Sequence, residues 1–505
     1  MSHFIGIDLG TSSLKTLLVK ETGEILASAA RDYQFDTPHP GFAEQDPEIW
    51  WRACVATVRE TIQKSAVDPH DIKSVSFSGQ MHGLVTLDKD LNPVRPAILH
   101  CDTRSGAQVN ELKELFLQDE IRSLMMNPVY TGFLLPSLMW VRELEPQNFT
   151  KIKSVCLPKD YIKMKMTGEV SSDYSDAGAT LAFDIPGLRW SEAILRRVDL
   201  PITLFPKTVE TTAIVGRVSR IAAEQLGLSE HTLVIAGGGD QAMQSLGNGM
   251  INPLDTTVNI GSAGQVCFQI DRPVINPDMN TNIFCGYSKD RWLLYGATMS
   301  AGLCLKWWNS VIGKRPYSEL NKEVDQIPIG SGGLIFLPYL NGERTPHLNP
   351  SLRSLFVGIN QNTTQAHMTQ AVMEGITFSL YECMEICRNL GFESKTLVAS
   401  GGGARSPQWL QIQADVFNLP IRVTVNEEQA SLGAAIIAAT GAGIYRSLEE
   451  GCDRVIRYQD QVYQPNQMNH NIYLELFSLF KEAYRSNRAL LESLTSFNAR
   501  ENIHA

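Results

Sequence analysis

The chain has 505 residues, 43% of them hydrophobic and 19% charged. That is an ordinary globular balance, and it excludes a disordered, collagenous or coiled-coil chain as the main architecture. With 44 basic against 54 acidic residues the formal net charge is −10, which argues against a protein that coats nucleic acid or anionic lipid.

The length suits two to four domains at about 150 residues each. No run approaches the roughly 20 apolar residues of a membrane span. The opening MSHFIGIDLG lacks the basic, apolar and small-residue succession of a secretory signal. The nine cysteines sit mostly in apolar runs and form no CxxC pair, so they read as reduced residues of a cytoplasmic protein. Cys383 and Cys387, about one helical turn apart, read as core packing.

FIGIDLG predicts a strand up to Asp8. Gly10-Thr11-Ser12-Ser13 turns the chain, LKTLLVK returns, and EILASAARDY begins a third strand. This is an antiparallel meander, whereas a dinucleotide fold would run from its glycine turn into a helix. PEIWWRACVATVRETIQKSA predicts an amphipathic helix opening near Pro47. IKSVSFSGQMHGLVTLD predicts a strand, a loop at Gly79–Gly83 and another strand. Helical patterns fill much of 105–150, and LPKDYIKMKMTG and SSDYSDAGATLAF follow.

LVIAGGGD ends a strand, and Gln241–Met250 predicts a small-residue helix. A second unit starts near 240–255. TTVNIGSAGQVCF repeats the opening pattern, with Asn259–Gly264 standing where Asp8–Ser13 stood half a chain earlier. TLVASGGGARSPQWLQIQADVFNLPI predicts a buried strand, a glycine loop and an amphipathic helix. ASLGAAIIAAT is a small-residue helix suited to close packing. Beyond about 455 the chain is polar and helical, with a frayed end.

Three loops offer backbone N–H groups and hydroxyls without a side-chain barrier: Gly10–Ser13, Gly261–Gly264 and Gly401–Ala404. Such loops suit phosphate oxygens, although each also serves as a tight turn. No GxxxxGK[ST] occurs, so a P-loop is excluded. Asp8, where a strand meets its loop, can hold Mg²⁺ or cap its own turn. Asp240, directly after Gly237-Gly238-Gly239, can accept a proton from an attacking hydroxyl or cap a helix. Met81 and His82 lie in a glycine-bracketed loop. Asp102 and Arg104 read as an exposed ion pair or as ligands of a polyhydroxyl substrate. Glu343 and Arg344 lie on a loop, either as functional groups or as a salt bridge. Trp51, Trp140 and Trp409 read as core.

Taken together, GIDLGTSSLK, PGFAEQDPEIWW, SGQMHG, LPKDYIKMKMTGE, AGGGDQA, FLPYLNGERTPH and GGGARSPQWLQIQAD resemble the FGGY carbohydrate kinases nearly end to end. SGQMHG makes the likeness closest to the xylulokinases. The resemblance implies an α/β fold of two ribonuclease-H-like lobes, of the actin and hexokinase type, with a cleft between them. Residues 1–250 would form a mainly sugar-binding lobe and 251–505 a mainly ATP-binding one. It implies transfer from ATP to a terminal hydroxyl of a ketopentose, D-xylulose first, with gluconate or another polyol or sugar as the alternative. Asp240 would be the base and Asp8 would organise Mg²⁺ through water. Met81, His82, Asp102 and Gln241, with Asp240, would meet the sugar. Gly10, Thr11, Ser12, Gly261, Ser262, Gly302, Gly402 and Gly403 would meet ATP. A homodimer is the family expectation. His100, Ser137 and Ala263 stand where the family commonly has Trp, Lys and a hydroxyl residue. The rival of another class is an actin- or Hsp70-like nucleotide switch, which needs neither AGGGD nor SGQMHG.

Overall fold

The structure is a computed structural model that describes residues 1–501, with side chains to 497. β1 (His3–Leu9), β2 (Ser13–Lys20) and β3 (Ile25–Asp32) form the expected antiparallel meander. α1 (Pro47–Ser65) opens at Pro47, where the Asp46 carboxylate accepts from the Glu48 amide. β4 (Ile72–Gly79) returns parallel to β1. After α2 (Pro158–Thr167) come β5 (Ile214–Arg217), β6 (Leu233–Ile235) and β7 (Gly238–Gly239). The sheet order is β5-β6-β4-β1-β2-β3, with β7 also beside β4.

α3 (Asp240–Gly247) leads to a second sheet. Its strands are β8 (Thr256–Ile260), β9 (Gly264–Ile270), β10 (Asn282–Cys285) and β11 (Trp292–Thr298). α4 (Gly302–Val311) and the long α5 (Gln365–Asn389) precede β12 (Leu397–Gly401). α6 (Pro407–Phe417) precedes β13 (Ile421–Val423). The order is β10-β11-β9-β8-β12-β13. β8 pairs antiparallel with β9 and parallel with β12, just as β1 pairs with β2 and β4. The half-chain repeat is therefore one of topology, and the molecule is built on two ribonuclease-H-like sheets.

Phe4, Ile5, Ile7 and Leu9 are all fully buried, as expected where both faces of a sheet are covered. One cover comes from far down the chain. α7 (Gln429–Gly441) is apolar all round, with Leu432–Ala439 buried, and it packs on β1, β4 and α3. A Cβ built on Gly6 would stand 2.0 Å from the Ser431 carbonyl oxygen. The chain closes with α8 (Gln467–Glu501). The frayed end expected there falls on 502–505, outside the described residues. Cys383 and Cys387 are buried in the core around α5. No described helix is long and apolar enough to cross a membrane.

Candidate active site

β1, β4 and β7 end side by side. Asp8 and Gly238 both stand opposite Ser78 of β4, so their backbones lie about 10 Å apart, two strand spacings. The N-cap of α3 is Gly239 and its first residue is Asp240. The helix thus starts one residue earlier than expected and stops at Gly247. Asp240 does not cap it, and its carboxylate is left for other work. Gly237, at φ +74, makes the bend that turns β6 into this approach, and a Cβ there would meet the Phe77 carbonyl oxygen at 2.3 Å. Burial first, then the negative charge of Asp8, pushes Asp240 up to about 7. Burial also raises Asp8, against a 2.7 Å hydrogen bond donated by the Ser78 hydroxyl.

Met81 lies over Gly239, its Sδ 3.1 Å from where a Cβ would be. His82 adopts φ +72 and brings Nδ1 to 2.6 Å from the Ala179 carbonyl oxygen. Burial drives its pKa down to about 3, so the ring is neutral. A carbonyl can only accept, so Nδ1 carries the proton and Nε2 is left as an acceptor. The ring packs 4.2 Å from Phe133 and 5.6 Å from Phe284 of β10, and Phe284 packs 6.1 Å from Tyr295 of β11. Burial and then Asp240 raise the Tyr295 hydroxyl. The positive charge of Arg344 bears on His82, His100, Tyr130 and Tyr295. Arg344 thus lies within electrostatic reach of groups from both halves of the chain.

Phe284 and Tyr295 lie outside every motif and only the paired sheets reveal them; Tyr130, also outside every motif, lies 6.4 Å from Phe133. Of the Glu343–Arg344 pair, Glu343 is a buried strut. It accepts from the Met299 and Arg344 amides at 2.5 and 2.8 Å and is pushed up to about 8, chiefly by burial. Arg344 has no ion-pair partner among the described residues.

Asp102 departs from the sugar-ligand expectation. It is 1% exposed, and its two oxygens accept from the Ala43 amide at 2.6 Å and from Arg104 at 2.7–2.9 Å. Arg104 also pairs with Glu44 at 2.6 Å and lies over Phe42 and Trp140. The ion pair is buried rather than exposed, and it clamps segment 41–45. Gln241 sits beside Asp240 in the first turn of α3.

The three loops gather at strand ends. The first is tied down by the Gly10 amide donating to the Ser13 carbonyl and the Tyr33 hydroxyl donating to the Gly10 carbonyl, at 2.9 and 2.7 Å. Thr11 donates to Gln80 at 3.1 Å, and Ser12 is exposed. In the second loop Ser262 is exposed, and the Gly302 amide donates to the Gly261 carbonyl at 2.9 Å. Gly302 is thus spent on loop closure: a Cβ there would lie 2.4 Å from that oxygen. The third loop stands beside the second, with Gly401 in register with Ile260. Gly402 is exposed and Gly403 is buried on Ile260. A cavity of about 510 Å³ opens there, lined by Asn259, Gly401, Gly402, Arg405 and Gln429 among others.

Residues 3–247 match the FGGY family of carbohydrate kinases, N-terminal domain, and residues 261–442 match its C-terminal domain. The chain belongs to the FGGY family of carbohydrate kinases.

Among its relatives is the xylulose kinase of Bacillus subtilis, 38% identical over 98% of this chain and 99% of that one. Among solved structures, a ligand-bound xylulose kinase from Lactobacillus acidophilus has a TM-score of 0.92 at 26% identity, covering 98% of this chain and 100% of that one. A gluconate kinase from the same organism has the same TM-score and identity, covering 98% and 99%. As an FGGY member the chain is a sugar kinase with ATP as phosphoryl donor, and a nucleotide switch with no sugar substrate is set aside. Its donor set also fits a divalent cation. Asp8 and Asp240 are hard oxygen ligands, the charge of Asp8 adds to the cost of ionising Asp240, and Mg²⁺ would offset that cost.

Proposed function

We propose that this FGGY kinase phosphorylates the terminal hydroxyl of a ketopentose, turning D-xylulose into D-xylulose 5-phosphate. The observation that carries this reading is Asp240, held near pKa 7 beside Met81 and His82. A base whose pKa lies near the working pH suits removal of a hydroxyl proton as the oxygen attacks the γ-phosphorus. The transition state is loose, so positioning and charge neutralisation do most of the work. Asp8 would hold Mg²⁺ through water. Gly10, Thr11, Ser12, Gly261, Ser262, Gly402 and Gly403 would face the nucleotide, which the 510 Å³ cavity admits. Gly302 would shape that site without touching the nucleotide. In this reading the lobe of 1–250 carries the sugar, 251–505 carries ATP, and the enzyme works in the cytoplasm. Gln241, next to Asp240 in α3, would meet the sugar as well.

His82 offers Nε2 to a sugar hydroxyl. His82→Ala should raise the sugar KM with a smaller change in kcat, and steady-state kinetics with an unchanged sugar KM would remove it from the binding site. Arg344 favours a second reading, because an unpaired cation whose charge bears on His82 and Tyr295 suits the carboxylate of an aldonic acid. ADP release with Mg-ATP against D-xylulose, D-ribulose, L-xylulose, D-gluconate and glycerol decides between the two. Turnover with D-xylulose far above the rest is the expected result, and turnover with D-gluconate alone would replace it.

A further inference from the structure

LPKDYIKMK and SSDYSDAG have no part in the reading above, yet they bury five ionisable groups in one cluster. Lys159, Asp160, Lys163, Asp173 and Asp176 are all 0% exposed. The Lys159 ammonium lies 2.7 Å from Asp160, 2.5 Å from Asp173 and 3.0 Å from Asp176. Lys163 lies 2.8 Å from Asp160. The three carboxylates lie as close together as metal ligands do, but the ammonium stands where a cation would. Burial pushes the Lys159 pKa down, but the neighbouring aspartates, Asp160 first, outweigh it and keep Lys159 charged, while burial raises Asp176. Such a cluster carries a heavy desolvation cost and is weak evidence for stability in itself. Its connections say what it holds.

Two of them reach the base. Asp173 Oδ1 accepts from the Ser175 amide at 2.9 Å and from the Ser175 hydroxyl. The Ser175 hydroxyl oxygen in turn accepts from the Gly239 amide at 2.9 Å. Gly239 is the N-cap of α3, one residue before Asp240. The second connection is steric. Gly79 is paired with Gly239 across β4 and β7, and a Cβ on Gly79 would fall 2.6 Å from Lys159 Cβ. Lys159 therefore backs the strand on which Gly239 rests, and its ammonium anchors the chain Asp173–Ser175–Gly239. The N-cap has no side chain of its own to fix its rotation, so the hydroxyl of Ser175 supplies that constraint.

We infer that Ser175, held by Asp173 and Lys159, is a positioning residue that fixes the Gly239 amide and thereby the direction of the Asp240 carboxylate. This rests on Asp240 being the base. Misplacing a catalytic group by about 1 Å can cost as much as about 10²-fold, and losing one of several constraints should cost less. Ser175→Ala should lower kcat about tenfold, leave the sugar KM within about twofold and shift the acid limb of the kcat–pH profile. The deciding measurement is a cycle of wild type, Ser175→Ala, Asp240→Asn and the double variant. A residue that acts through Asp240 has nothing left to position in Asp240→Asn, so the second substitution should change kcat little there. Equal losses in both backgrounds would mean general damage and overturn the inference, as would a wild-type rate and pH profile for Ser175→Ala. If Asp240→Asn itself stays active, the base assignment fails instead. Should Ser175→Ala not fold, Ser175→Cys keeps the volume with a weaker acceptor, and the same outcomes apply to it.

Discussion

Asp240→Asn will lower kcat by about 10²-fold or more, the usual range for losing a general base, while the protein still binds sugar and nucleotide. Single-turnover ADP release beside sugar-binding titrations checks this. A variant that binds sugar and keeps a near-normal rate would take the role away from Asp240. The same substitution should stabilise the fold, and pH reveals why. The folded state holds the Asp240 proton up to about 7, against an ordinary value of 3.8. Below about pH 4 both folded and unfolded chains are protonated and nothing is lost. Between the two values the unfolded chain ionises first, and stability falls as pH rises, by about 1.4 kcal/mol per unit. Above 7 the loss is complete, roughly 4 kcal/mol by the same factor. Asn carries no such cost, so its gain in Tm should be largest at pH 8 and about a third as large at pH 5. A gain independent of pH would mean that the carboxylate is not strained by its surroundings.

Much of this was legible because strands and loops leave local marks. The β1–β3 meander, the start of α1 at Pro47 and the repeat of Asp8–Ser13 at Asn259–Gly264 are patterns of neighbours along the chain. Each reappears in the structure as a strand, a cap or a register. Asp240 stood out as the candidate base from three glycines before an aspartate at the end of an apolar run. What stayed hidden depends on residues distant in sequence. Asp102 looked like a ligand because sequence does not show that the Ala43 amide and Arg104 fill its two oxygens. The start of α3 moved because Gly239, with no side chain to signal a cap, takes that position. Tyr295 and Phe284 come to Met81 and His82 only when β10 and β11 of the second sheet face the first. The pairing of Lys159 with Asp173 needs two segments of opposite charge to be buried together, and each alone reads as a solvated stretch.

The largest loss of stability is expected from a single methyl group. Ala is a better helix former than Gly by about 1 kcal/mol, so Gly433→Ala in the middle of α7 would ordinarily help. Here a Cβ would stand 2.0 Å from the Met243 carbonyl oxygen, and a Cβ on Gly247 would stand 1.8 Å from that of Gln429. Both obstacles are backbone, which has no rotamer to yield. α7 would have to lift off α3 and β1 and expose its apolar faces. We expect Gly433→Ala to cost at least about 3 kcal/mol, the upper end of overpacking, and to lower Tm accordingly. Function should fall with it on both sides of the cleft. α7 begins beside Glu428, whose 2.8 Å pair with Lys15 ties the helix to β2. Its first residue, Gln429, lines the cavity assigned to the nucleotide, and its partner α3 carries Asp240. Sugar and nucleotide affinity should therefore weaken together. The control is Gly106→Ala, at the first position of a surface helix with nothing within 4 Å of the added carbon; it should be neutral or stabilising by up to about 1 kcal/mol. A Gly433→Ala enzyme with wild-type Tm would mean that α7 is not held at this distance in solution, and the coupling of the two sheets through it would have to be abandoned.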